Sequence, residues 1–236
     1  MAFIGVEKTT SMNFKFLIIS IVITSGLVGN VFAQQEFSQE EIDEMKQKAV
    51  LITMNGGTFM IEFFPEDAPN TVHNFLKLVE SGYYDGTVFH RIIPGFMIQT
   101  GDPNTKDPDV DRSLWGQGGP GYNIDEEFNT LQHDRGIVSM ARSQHVDSAG
   151  SQFFIVHKDS NHLDGQYTAF GRLVPGLPNA LNHIASLETD DNDAPLNVLE
   201  ATIISAKILD PYTTSGVLPP DRNQSIIEKE QRFAGV

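Results

Sequence analysis

From residue 49 to residue 210 the chain alternates short apolar runs with glycine, proline and acidic turns. The runs at 50–54 and 58–63 flank Asn55-Gly56-Gly57. An Asn-Gly pair between two apolar runs supplies the positive φ values of a tight hairpin turn. Pro69-Asn70-Thr71 opens a stretch in which Val72, Phe75, Leu76 and Val79 recur at i, i+3, i+4 and i+7, which predicts a helix ending near Gly82. Further strands are predicted over 88–93, 96–101, 137–141, 153–157, 169–173 and 198–209. A second helix is predicted over 178–187, with Ala180, Leu181, Ile184 and Leu187 on one face. Many short strands with few helices between them imply an antiparallel sheet, and about eight strands suffice to close a barrel.

The two ends follow other patterns. Lys15, an apolar stretch over 16–28 and the small residues Val31 and Ala33 have the order of a secretory signal cleaved after Ala33, with Met12 as an alternative start. The competing reading is an uncleaved membrane anchor, although Gly26 and Gly29 interrupt the run before about 20 apolar residues accumulate. Either way the domain is expected outside the cytoplasmic membrane, with no membrane insertion of the mature part. Residues 34–48 form an extension in which Ser38, Glu40 and Glu41 predict a short solvated helix. Residues 211–236, with Pro211, Pro219 and Pro220 and no lasting periodicity, predict a tail without its own core, and Asn223-Gln224-Ser225 matches a glycosylation sequon. Residues 49–210 then form one domain.

Composition narrows the chemistry. The 31 Asp+Glu against 16 Lys+Arg leave a formal charge of −15, so nucleic acid is an unsuitable partner. The absence of cysteine excludes disulfides, thiol catalysis and cysteine zinc sites. The seven histidines form no close ligand set, so no metal is expected. Gly116-Gln117-Gly118-Gly119-Pro120-Gly121 satisfies a dinucleotide-type glycine pattern, yet lacks the strand before it and the helix after it. Asp107, Asp109 and Asp111 alternate like calcium ligands without the glycine and glutamate that complete such a loop. His90 and His133 read as hydrogen-bonding residues of the fold.

The most loaded segment runs from Phe89 to Asp102. Alternation across a Pro94-Gly95 turn would bring Arg91, Phe96, Met97 and Gln99 to one apolar cleft edged by a cation and an amide. A core hairpin whose arginine merely pairs with a carboxylate fits the same residues.

Three further stretches decide between these readings: Met140-Ala141-Arg142, then Ser151 to Ile155, then His162-Leu163-Asp164-Gly165-Gln166-Tyr167-Thr168-Ala169-Phe170-Gly171. With the first segment and the 71–82 helix, they closely resemble the cyclophilin family of peptidyl-prolyl isomerases over residues 48–210. The resemblance implies an all-β fold with two capping helices, a closed eight-stranded antiparallel β-barrel whose site lies on its outer face. It places the proline pocket on Phe96, Met97, Phe154 and Leu163, the catalytic arginine on Arg91 and the glutamine orienting it on Gln99. Gln152 and the backbone of Ala141 and Arg142 would hold the peptide, and Gly116 and Gln117 would border the pocket for residues before the proline. His162 stands where many members carry Trp, and Tyr167 where many carry His, so cyclosporin binding is expected to be weak at most. Arg142 replaces a common Asn. The segment 104–115 is longer than in compact relatives, with Trp115 expected to pack it onto the barrel. No cofactor is implied. Proline-containing polypeptides are the expected partners and a monomer the expected form. A non-catalytic proline-binding chaperone is the alternative, and the acidic loop or tail could instead dock the domain into a larger assembly.

Overall fold

The computed structural model describes residues 35–174 and 180–210. The leader, the tail with its sequon, and the first two residues of the second predicted helix lie outside the described residues. In chain order the elements are α1 (Gln39–Lys46), β1 (Ala49–Met54), β2 (Gly57–Phe63), α2 (Pro69–Glu80), β3 (Arg91–Ile93), β4 (Met97–Thr100), β5 (Ile137–Met140), β6 (Phe153–Val156), β7 (Ala169–Leu173), α3 (Ala180–Ala185), α4 (Val198–Ala201) and β8 (Ile203–Leu209).

All eight strands join one antiparallel sheet in the order β3-β4-β6-β5-β7-β2-β1-β8. It curls around a core that includes Ile52, Phe59, Ile61, Ile98, Phe153 and Phe170. Helix α2 begins at Pro69, whose missing N–H costs nothing at a first turn. It turns Val72, Phe75, Leu76 and Val79 inward against β7 and β8, and α3 lies against β2, β3 and β4 with Leu181 and Ile184 buried. Phe75 sits at the centre, its ring 5.0–5.7 Å from those of Phe63, Tyr84, Phe153 and Phe170.

Three expectations need correction. The sheet is an open half-barrel, not a closed barrel. β3 is only three residues long, and instead of pairing with β8 its Ile92 N–H donates to the Asp193 carbonyl at 2.8 Å. Among the described residues, only a short stitch runs between the edges, ahead of β3 and at the start of β8: the Val88–Thr202 bridge and bonds from Gly86, Phe89 and Ile203. The strand predicted over 198–209 starts at Ile203, because residues 198–201 coil into α4 and turn Leu199 to solvent. Helix α1 is not merely solvated. Ser38 and Glu41 close a reciprocal cap at its start, and Ile42 and Met45 are buried in the main core.

Candidate active site

Successive side chains of a strand point to opposite faces, and β4 and β6 use both. Ile98, Phe153 and Ile155 face the main core, whereas Met97, Phe154 and Val156 form a second cluster with Leu163 on the outer face. Register does the assembly: Arg91 stands opposite Gln99, Gln99 opposite Phe154, and Met97 opposite Val156. The hairpin between β3 and β4 closes with the Phe96 N–H on the Ile93 carbonyl at 3.0 Å. Pro94 followed by Gly95 at φ 78° is the residue pair a type II turn demands. That turn folds Phe96 back over the outer cluster.

The result is a cavity of about 160 Å³ lined by Arg91, Phe96, Met97, Gln99, Ala141, Arg142, Phe154, Leu163 and Tyr167. All nine were named from the sequence. A polar groove of about 690 Å³ adjoins it, sharing Gln99, Ala141 and Arg142 and adding Gly116, Gln117 and Gln152 among others. His162 lines neither cavity; it is exposed and stacks on Phe96 with ring centroids 5.6 Å apart. Tyr167 meets Phe154 edge-on at 5.7 Å.

Arg91 is 46% exposed and its Nε lies 3.5 Å from Asp193 Oδ2. The terminal guanidinium nitrogens have no partner among the described residues. Gln99 does not hold Arg91 as expected: its amide donates to Gln152 Oε1 at 2.9 Å. Gln152 in turn donates to the carbonyls of Gly116 and Gly118 at 2.9 and 2.8 Å. Both amide hydrogens of Gln152 are thus taken, and it braces the glycine loop rather than offering donors to the groove. Ala141 donates its N–H to the Gln152 carbonyl at 2.9 Å, and the N–H of Arg142 is unpaired among the described residues.

A buried relay supports the pocket wall from behind. His133 is fully buried, stacks on Phe154 at 6.1 Å, and bridges Asp164 Oδ1 at 2.9 Å and Ser139 Oγ at 3.0 Å. Burial opposes ionisation of Asp164, but bonds from the His133 backbone and ring and from Asn161 outweigh it and hold the carboxyl below its usual range. Asp164 follows Leu163 directly, so this pairing anchors the turn that presents Leu163 to the cavity. Ser139 is wholly buried, which denies this Ser-His-Asp arrangement any substrate. Trp115 packs half-buried on the main core with Arg112 5.0 Å from its ring, as expected of a packing anchor.

Sequence reasoning missed Asp193. Its side chain reaches Arg91, its carbonyl anchors Ile92, and its φ of 63° is left-handed. No local signal marks it, since the pairing spans a hundred residues.

Residues 49–208 match the family model described as cyclophilin type peptidyl-prolyl cis-trans isomerase/CLD. The chain is 48% identical over 125 residues to a peptidyl-prolyl cis-trans isomerase of Synechococcus elongatus, covering 53% of this chain and 79% of that one. It is 45% identical over 130 residues to peptidyl-prolyl cis-trans isomerase B of Bacillus subtilis, covering 54% and 84%. A crystal structure of a Cryptosporidium parvum cyclophilin type peptidyl-prolyl cis-trans isomerase, determined in the presence of the dipeptide Ala-Pro, superposes with a TM-score of 0.60 at 36% identity, over 69% of this chain and 99% of that one.

Proposed function

The chain belongs to the cyclophilin-type peptidyl-prolyl cis-trans isomerases, and from that premise we propose that it turns X–Pro bonds in exported polypeptides, with Arg91 as the catalytic donor. Rotation about the amide breaks its partial double bond against a barrier of about 18–20 kcal/mol. At the twisted transition state the proline nitrogen regains a lone pair that neither planar isomer offers. A donor aimed at that nitrogen binds the transition state in preference to the ground state, and such a differential lowers the barrier. A guanidinium suits the task because it is planar, multidentate and charged at every working pH.

The observation that carries the assignment is the placement of Arg91 on the rim of the outer-face cavity, its terminal nitrogens unpaired. Phe96, Met97, Phe154 and Leu163 supply an apolar seat for the pyrrolidine ring, and excluding water there strengthens the arginine's hydrogen bond. The unpaired N–H of Arg142 is placed to hold one side of the bond by the peptide backbone while the other side rotates. Gln99 and Gln152 keep the sheet and glycine loop in register. The exported-client part of the proposal rests on the leader pattern before Gln34.

A protease-coupled isomerisation assay tests the chemistry. The parent is expected to catalyse and Arg91→Ala to lose at least about tenfold in kcat/KM, a floor set below the roughly 10²–10³-fold typical of one preorganised buried donor because Arg91 is 46% exposed. Equal rates would remove Arg91 from its role; catalysis by neither, with proline peptides still bound, would favour a binding module. Fractionation of the native host, with the intact mass of the recovered chain, tests export. Recovery in the cytoplasm with residues 1–33 attached would overturn it.

A further inference from the structure

The charge of the cleft opposes the charge of the chain. The whole chain carries −15, yet the charged side chains lining the two cavities are both arginines, Arg91 and Arg142. Arg142 lines both and is the charged residue lining the larger groove. Arg91, Arg112 and Arg172 each have a carboxylate within 4.0 Å. Arg142 has none among the described residues.

Arg142 is nevertheless held in place. Its guanidinium lies 4.7 Å from the Tyr167 ring and 5.7 Å from the Phe128 ring. Its Nε donates to the Gln166 carbonyl at 3.1 Å and Nη1 to the Ser143 carbonyl at 2.9 Å. Two of five N–H donors are thereby spent and three remain. A planar cation already fixed by rings and carbonyls loses little side-chain freedom on meeting an anion, so more of the attraction survives as selectivity. Charges farther than about 8 Å are largely screened at physiological salt, so the charged groups lining the cavities weigh most.

We propose that Arg142 is a specificity-determining residue that selects proline substrates carrying an acidic side chain close to the proline. This deepens the isomerase reading and rests on it for the seat of the proline ring. Because Arg142 borders that seat itself, and an extended peptide advances about 3.3–3.6 Å per residue, the acidic residue belongs within about three positions of the proline.

The test uses the full chain and a set of proline peptides bearing Glu, Gln or Lys at one position at a time, from three before the proline to two after it. NMR exchange reads turnover and NMR shift titration reads affinity, both at 0.15 M salt. At one position at least, the parent is expected to favour Glu over Lys roughly three- to fivefold, the upper range for a partly exposed ion pair. Arg142→Gln should bring that ratio near one, whereas Arg142→Lys, which keeps the charge and guards against misfolding as the cause, should retain part of it. No charge preference in the parent, or a Glu preference undiminished in Arg142→Gln, would overturn the proposal. A charge preference in binding without turnover would support Arg142 while sinking the isomerase reading. Failure to bind any peptide would overturn both.

Discussion

Replacing Asp193 by Asn isolates what the carboxylate beside Arg91 does. Asn tolerates the left-handed φ of 63° and keeps the carbonyl that accepts from Ile92, so only charge is removed; Ala would add backbone strain of about 1–2 kcal/mol. At the observed 3.5 Å, unit charges attract by about 1.2 kcal/mol in bulk water and about 4.7 kcal/mol at an effective dielectric of 20. The two side chains are 46% and 43% exposed, which puts the pair near the water limit. After the cost of ordering both side chains, about 0.5–1 kcal/mol remains. If that energy serves to hold the guanidinium over the pocket, kcat falls about two- to fivefold in Asp193→Asn, with KM little changed. The protease-coupled assay reads this directly. A salt series adds a second readout: near 1 M, where the screening length is about 3 Å, the parent should approach the variant, whose own rate should move little. A variant rate equal to or above the parent's at low salt would refute the positioning role and show that Asp193 competes with substrate for the arginine.

Phe75→Ala should cost about 3–5 kcal/mol in denaturant unfolding, because the ring is fully buried among four other aromatics; a loss under about 1.5 kcal/mol would mean that the core collapses to fill the gap. His90 is buried with both ring nitrogens unpaired. Burial pushes its pKa below the ordinary 6.5 against the opposing pull of the Asp102 carboxylate, with the Arg91 charge adding to the lowering. The unfolded chain therefore takes up a proton below about pH 6.5 that the folded chain refuses, so stability is full above that pH and falls as the pH drops toward the lowered folded value. His90→Leu should flatten the loss of Tm between pH 7 and pH 5, leaving the contribution of His73, also lowered chiefly by burial; an unchanged slope would refute the assignment. Cyclosporin should inhibit weakly, since an imidazole, that of His162, and not an indole stacks on Phe96, and nanomolar inhibition would contradict this.

Much of the site was legible because its parts are local. The 93–97 turn needs only Pro94 and Gly95, and strand alternation alone separates Met97 from Ile98 and Phe153 from Phe154. Gln99 and Gln152 were legible as residues but not as partners. Their mutual bond and the tie to the glycine loop depend on β4, β6 and residues 116–118 meeting in space. His133 could be read as a hydrogen-bonding residue, whereas its bridge from Asp164 to Ser139 could not.

Residue chemistry and short-range stereochemistry therefore reside in the sequence itself: the hairpin turns, the Pro69 start of α2, the faces of each strand, and an arginine near a cluster of apolar residues. The folded chain alone decided how the sheet ends and what the arginine faces. Whether β3 meets β8 depends on the path of residues 188–201, which fill the seam and deliver Asp193 to Arg91. Such long-range pairings are settled by the sum of many weak contacts and by chain closure, not by the preference of any one segment.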